Sequence, residues 1–282
     1  MHKGEALLAN DQAVIAARIW SLLKESVLVV KVSRGEHRKG TLMDRRSYVV
    51  RPFWQCSVFL GLLAILWVPV TEGQTTSITS SGLGTTITSG SIDPAGRPNY
   101  IITGGTRPGD GPNLFHSFGD FSVGTNNVAR FLNETGRSTT NILSRVTGGQ
   151  TSNIYGAIET AGFGTAALWL INPAGIVFGP SASLNVGGSV HFSTADYLRL
   201  GSGNDRFYAD LGKTSQLTSA PVTAFGFLNP NPQPITVQGA TLDVQKHTPN
   251  EPARSLSLVG GDIQLSGGTL KAEAGINLVS MA

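Results

Sequence analysis

Cysteine is almost missing from this chain: Cys56 is the only one in 282 residues, so no intrachain disulfide can form. It also stands at the start of an apolar run rather than at its end, where a lipoprotein anchor would need it. Charge is scarce as well, at 14% of residues. Lys213, Lys246 and Lys271 are the only lysines beyond the leader. The sequence pI near 9.1 arises locally, because residues 1–51 carry 10 Lys+Arg against 5 Asp+Glu while the remainder carries 11 against 13. A body with a net charge of −2 lacks the basic patch that a nucleic-acid partner requires. Helical periodicity is absent after residue 74, and no stretch there predicts a helix longer than two turns. Hairpin dipeptides are nearly absent too, Asp110-Gly111 being the one Asp-Gly in the body. No G-x-S-x-G elbow and no HExxH pair occurs, so nucleophilic and zinc-hydrolase chemistry lack their actors.

Glycine is abundant instead, at 35 residues, and Ser, Thr, Asn and Gln supply most of the polarity. Three segments are expected. Residues 1–42 form an upstream leader or extended signal region, or an untranslated stretch if Met43 is the true start. Residues 43–73 read as a Sec signal peptide, with basic Arg45, Arg46 and Arg51 followed by the apolar run Cys56–Val70. Pro69 and Glu72 leave that run short of the roughly 20 residues of a membrane span, and cleavage is expected near Gly73. Residues 74–282 form the mature body, with no stable membrane span.

In the body, apolar residues recur at i and i+2: Ile142/Ser144/Val146, Ile176/Phe178, Leu184/Val186, Val190/Phe192, Ile235/Val237, Leu242/Val244, Leu256/Leu258, Ile263/Leu265 and Ile276/Leu278. Such pairs face one side of an extended strand. Between them stand Gly148-Gly149, Gly187-Gly188, Gly260-Gly261 and Gly267-Gly268, expected to turn corners with positive φ. A β-sandwich would want more hairpin signals. The expectation is all-β: a right-handed parallel β-helix with small capping or extra-helical β elements, preceded by a helical signal peptide. Coils of about 20–25 residues predict roughly nine coils over 74–282, spanning on the order of 40 Å. Because coil-like repeats run up to Ala282, a C-terminal truncation is expected.

Three segments carry a family likeness. Gly111-Pro112-Asn113-Leu114-Phe115-His116-Ser117-Phe118 is the first and Asn141–Gly149 the second. The third runs from Leu168 through Asn172-Pro173-Ala174-Gly175-Ile176-Val177-Phe178-Gly179-Pro180 to Ala195. Together they resemble the secretion domain of filamentous-haemagglutinin-like exoproteins, which use two-partner secretion. Where that family reads Asn-Pro-Asn-Leu and Asn-Pro-Asn-Gly-Ile, this chain has Gly111 and Ala174 in place of an Asn. The likeness implies a targeting role for an adhesin-like exoprotein. After Sec export the unfolded domain would meet POTRA domains of an outer-membrane β-barrel transporter, cross, and fold at the cell surface of a double-membrane bacterium. The site residues it implies are Gly111, Pro112, Asn113, Leu114, Asn172, Pro173, Ala174, Gly175 and Ile176. Both motifs read as β-turns with Pro at the first central position, and Asn172 is placed to cap its turn with its side chain.

Other motifs are bland. Gly162-Phe163-Gly164-Thr165-Ala166-Ala167 imitates a dinucleotide fingerprint without the helix it needs. Gly201–Phe207 resembles a single calcium nonapeptide, which requires tandem copies. His116, His191 and His247 lack ligand spacing. No cofactor, metal or catalytic residue is expected, and the alternative is a carbohydrate-active β-helix enzyme, a polysaccharide lyase or hydrolase.

Overall fold

The computed structural model describes residues 74–245 and 248–281, all within one compact unit. The signal segment, Cys56, Lys246 and His247 lie outside the described residues. Among the described residues every regular element is a strand except a short 3-10 turn at Pro108–Asp110.

Three faces are built from strands of successive circuits. The first sheet runs β1 (Ser77–Gly82), β4 (Asn113–Ser122), β6 (Asn141–Val146), β9 (Ala167–Ile171), β12 (Val190–Ser193), β18 (Ser255–Gly260) and β21 (Gly275–Ser280). The second contains β7 (Ser152–Ile154), β10 (Ile176–Phe178), β16 (Ile235–Gln238) and β19 (Ile263–Ser266). The third contains β2 (Thr85–Ile92), β3 (Pro98–Gly104), β5 (Val128–Leu132), β8 (Ala157–Ala161) and β11 (Ser183–Asn185), with β17 (Thr241–Asp243) and β20 (Thr269–Lys271) forming a separate parallel pair. The chain visits these faces in turn: β6, β7, β8, then β9, β10, β11, then β12. Each circuit pairs in parallel with the one before it.

The register explains why the sequence settles there. Leu114, Ile142, Leu168, Val190, Leu256 and Ile276 form one inward column across the first sheet. Ile176, Ile235 and Ile263 form another on the second face, beside Phe178, Val237 and Leu265. A one-residue slip would turn each column outward, so the alternation fixes the register. Removing each such side chain from water stabilises the fold by about 1.5–3 kcal/mol. Aromatic rings fill two wider places: Phe178 against Phe192 at 4.8 Å, and Phe118 against Phe121 at 4.9 Å. At the last circuit the columns lose a neighbour on one side, and Leu265, Ile276 and Leu278 are 46%, 42% and 44% exposed.

The other end is closed differently. β1 lies antiparallel on β4, and β2 and β3 form an antiparallel pair whose β3 joins the parallel stack through β5. Residues 194–234 leave the stack altogether and form a separate antiparallel sheet of β13 (Tyr197–Leu200), β14 (Asp205–Tyr208) and β15 (Val222–Gly226). This excursion and the antiparallel cap use residues that the sequence had assigned to coils. The first sheet therefore holds six parallel strands in place of roughly nine coils. The hairpins β2–β3 and β13–β14 also form without an Asn-Gly turn, the second through Gly201–Asn204.

The corner glycines follow the expectation in two of the four pairs, where Gly149 and Gly267 adopt φ +73° and +67°. Gly187 and Gly188 do not need positive φ. They sit where stacked circuits nearly touch: a Cβ on Gly188 would lie 2.4 Å from the carbonyl oxygens of both Thr165 and Ala166. The backbone itself is the obstacle there.

Two measurements follow from this packing. Gly188→Ala should lower unfolding stability by about 1–3 kcal/mol in a denaturant titration, because two backbone carbonyls must move. Phe178→Ala should cost about 3–5 kcal/mol, whereas Leu278→Ala, at the exposed end circuit, should cost under about 1 kcal/mol.

Candidate functional site

The first sheet is buried on both faces over much of its length. Its outer column Phe115, Leu143 and Trp169 meets the excursion sheet. Phe115, Leu143, Ile171, Leu198, Leu200, Phe207 and Ala209 form a second apolar core there. Polar ties cross the same junction. Arg145, 6% exposed, donates from Nε to Ser117 Oγ and from Nη1 to the Tyr208 carbonyl and Ser215 Oγ. Its guanidinium also lies 5.0 Å from the centre of the Phe207 ring. Burial away from water lowers the Arg145 pKa, though it remains a cation at any ordinary pH.

Gly111-Pro112-Asn113-Leu114 belongs to this junction. It is not the turn expected: the turn closes three residues earlier, with Gly111 N–H donating to the Pro108 carbonyl, and Asn113 already opens β4. Asn113 is fully buried. Its amide donates to the Thr218 and Ala220 carbonyls at 2.9 and 2.7 Å, and its oxygen accepts from Asn141 Nδ2. Asn141 in turn accepts from Trp169 Nε1. Gly111 lies against Ser219, whose Oγ would be 2.0 Å from a Cβ at position 111, which accounts for a residue without a side chain there. Leu114 points into the main core.

Asn172-Pro173-Ala174-Gly175 is a turn, as expected. Gly175 N–H donates to the Asn172 carbonyl at 3.0 Å, and Ala174 N–H donates to Asn172 Oδ1 at 3.0 Å. Ala174 is not among the positive-φ residues, which excludes type II. Asn172, 1% exposed, spends its amide on the Gln150 carbonyl and Ser152 Oγ, both at 2.9 Å. The turn thus joins the first sheet to the second and sends Ile176 and Phe178, both fully buried, into the core. Beside it lies a cleft of about 250 Å³ lined by Pro173, Ala174, Asp196 and Asp210. Asp196 Oδ2 accepts from Leu228 and Asn229 N–H, and Asp210 Oδ1 from Gly212 N–H.

The two motifs are therefore not brought together. Asn113 stands at the start of its strand in the first sheet, and Asn172 follows the end of β9. Sequence reasoning missed Arg145, Asp196 and the second core. The signal for the core was present: Asn141–Val146 has Ile142 and Leu143 adjacent, so both faces carry an apolar residue. Every residue of that strand is buried.

Two histidines are held neutral. Burial, with a contribution from the Arg107 charge, pushes His116 down to about 3. It bonds Thr85 Oγ1 through Nδ1 at 3.2 Å and sits between Phe118 and Phe131. Burial likewise pushes His191 down to about 4, where it stacks on Trp169 at 3.8 Å and bonds Ser257. Among the described residues no group of three or more His, Cys, Asp or Glu is arranged to hold a metal. The dinucleotide-like Gly162–Ala167 is the connection between β8 and β9.

The TPS secretion domain matches residues 77–281, nearly all of the described stack. The chain belongs to the TPS secretion domain family. None of the curated proteins compared matches the chain. As a TPS secretion domain it is a secretion-targeting module of a large secreted exoprotein and works with a partner outer-membrane transporter. The family is a targeting module rather than a catalytic one, and nothing found supports the carbohydrate-active enzyme alternative. No helix among the described residues is long and apolar enough to cross a membrane.

The neutral histidines give this TPS domain a defined pH response. A folded pKa below the unfolded value near 6.5 means that the unfolded chain binds the extra proton, so stability is full above about pH 6.5 and is lost as pH falls toward the folded values. His116 alone should remove about 2 kcal/mol between about pH 6.5 and pH 5. His116→Gln should flatten that part of a stability-against-pH curve measured by chemical denaturation. Asn172→Ala, which leaves two acceptors and one N–H without their partner, should cost about 1–3 kcal/mol at neutral pH.

Proposed function

We propose that this domain is read by POTRA domains of its transporter while still unfolded, after Sec export directed by residues 43–73, and that it winds up only on the outer side of the membrane. The product is a right-handed parallel β-helix, the hand that parallel crossover connections take almost without exception. The finding that carries this reading is the TPS match over residues 77–281, joined to a stack in which each circuit needs its neighbour. Such one-dimensional folds propagate from a nucleus. A circuit formed outside cannot retreat through a narrow pore, so winding biases movement outward. The exoprotein is adhesin-like in this reading, carrying its binding regions at the cell surface.

The two motifs have separate parts in it. Asn172, Pro173, Ala174, Gly175 and Ile176 form the corner on which β10 turns into the core, and their winding drives the outward step. Gly111, Pro112, Asn113 and Leu114 start the first complete circuit and receive the excursion sheet. In the unfolded chain both segments are extended and available to the transporter, since Pro112 and Pro173 bias the preceding residues toward extended backbone.

The test is a secretion assay with Ile176→Asp and Phe178→Asp, which place a charge in the core. The precursor should still reach the periplasm and lose its signal peptide, yet release into the medium should fall at least about tenfold, as expected when winding cannot complete. Normal release of either variant would end the coupling between winding and translocation.

A further inference from the structure

The face of the excursion sheet that points away from the stack takes no part in either motif. Leu198, Leu200 and Phe207 fill the second core, so strand alternation places Tyr197, Arg199, Arg206 and Tyr208 on the opposite face. Across the antiparallel pair, Tyr197 stands opposite Tyr208 and Arg199 opposite Arg206. The tyrosine rings are 5.2 Å apart. The Arg206 guanidinium lies 4.8 Å from the Tyr197 ring centre, and its Nη1 donates to the Tyr208 hydroxyl at 3.1 Å. On the third strand the partners of Tyr197 and Arg199 are Gly226 and Ala224. The Tyr197 ring lies over Gly226, where a Cβ would sit 1.9 Å from it, so the glycine makes room for the ring.

Among the described residues this arrangement has no ion-pair partner. Like charges directly opposite one another destabilise a strand pair. Neither Arg199 nor Arg206 is in an ion pair among the described residues, and Arg206 Nε is buried without a hydrogen-bond partner. Two opposed guanidiniums can bracket an oxyanion, while the adjacent tyrosine rings, inclined at 53° to one another, offer aromatic faces with hydroxyls at their tips.

We propose that this face binds an acidic polysaccharide, with a uronate ring lying against the Tyr197–Tyr208 pair and its carboxylate held between Arg199 and Arg206. A pyranose has a flat apolar face and carries its carboxylate on a rigid ring, so one residue of the polymer meets both pairs at once. An acidic peptide brings its carboxylates on flexible stems and leaves the aromatic pair uncovered. The site retains the polymer and does not cleave it.

Isothermal titration of the secreted protein with an oligogalacturonate, a neutral dextran oligomer and a poly-glutamate of matched length tests this directly. The oligogalacturonate should bind, weaken as salt rises from about 50 to 200 mM, and weaken at least about tenfold in Arg199→Gln and in Arg206→Gln. Arg199→Gln should melt no lower than the parent, because it removes a like-charge opposition; a lower melting temperature would make Arg199 a structural residue and overturn the proposal. Equal binding of poly-glutamate, binding of dextran, no binding of oligogalacturonate, or an unchanged affinity in the arginine variants would each overturn it. Release from the cell is not the readout, so failure here leaves the secretion reading standing.

Discussion

Everything in this domain depends on the in-register stacking of inward side chains between successive circuits. A single circuit has two open faces and cannot exclude water from its own aliphatic residues. It becomes stable only when Leu168 lies between Ile142 and Val190, and Ile176 between Ser152 and Ile235. The same contact satisfies the backbone, because each strand completes the hydrogen-bond ladder of the strand beside it. Side-chain burial and backbone pairing are thus one event, repeated along the stack. The ends are where it fails, and the antiparallel β1, β2 and β3 occupy one of them. That placement covers strand edges that would otherwise be open to pairing.

The excursion sheet adds a constraint of another kind. Its partners are far away in sequence: Asn113 reaches the carbonyls of Thr218 and Ala220, and Arg145 reaches Tyr208. Such contacts form late, since a long loop must close before they contribute. Their receiving surface is also composite, with Phe115, Leu143 and Ile171 coming from three circuits. The excursion can therefore dock only on circuits already stacked, and it then clamps them together. Under the proposed export route, in which the chain stays unfolded until it has crossed the membrane, this order is useful: local winding comes first and long-range locking second.

Most of the stack was legible in the sequence. Ile142 and Val146 of the Ile142/Ser144/Val146 alternation and the i, i+2 pairs Ile176/Phe178, Val190/Phe192, Ile235/Val237 and Leu256/Leu258 all lie in the main core. The turn at Asn172 and its side-chain cap were readable from an Asx residue before proline. The excursion was not, because Tyr197–Leu200 and Asp205–Tyr208 show the same alternation as any coil strand, and a local pattern does not reveal whether the partner strand is parallel or antiparallel. Gly111–Leu114 misled for a related reason: Pro112 fits a turn as well as it fits the extended residue before a strand. The role of Gly187 and Gly188 depends on a carbonyl that approaches from a neighbouring circuit, a fact that exists only in three dimensions.

Native-state hydrogen exchange, resolved by strand, tests the central claim most directly. If the stack is held by contacts between circuits, the amides of β6, β9, β10 and β12 should open together, with one shared free energy that is the largest in the domain. Exchange of β6 and β12 by separate openings, differing by more than about 2 kcal/mol, would show that the circuits stand independently and would contradict it.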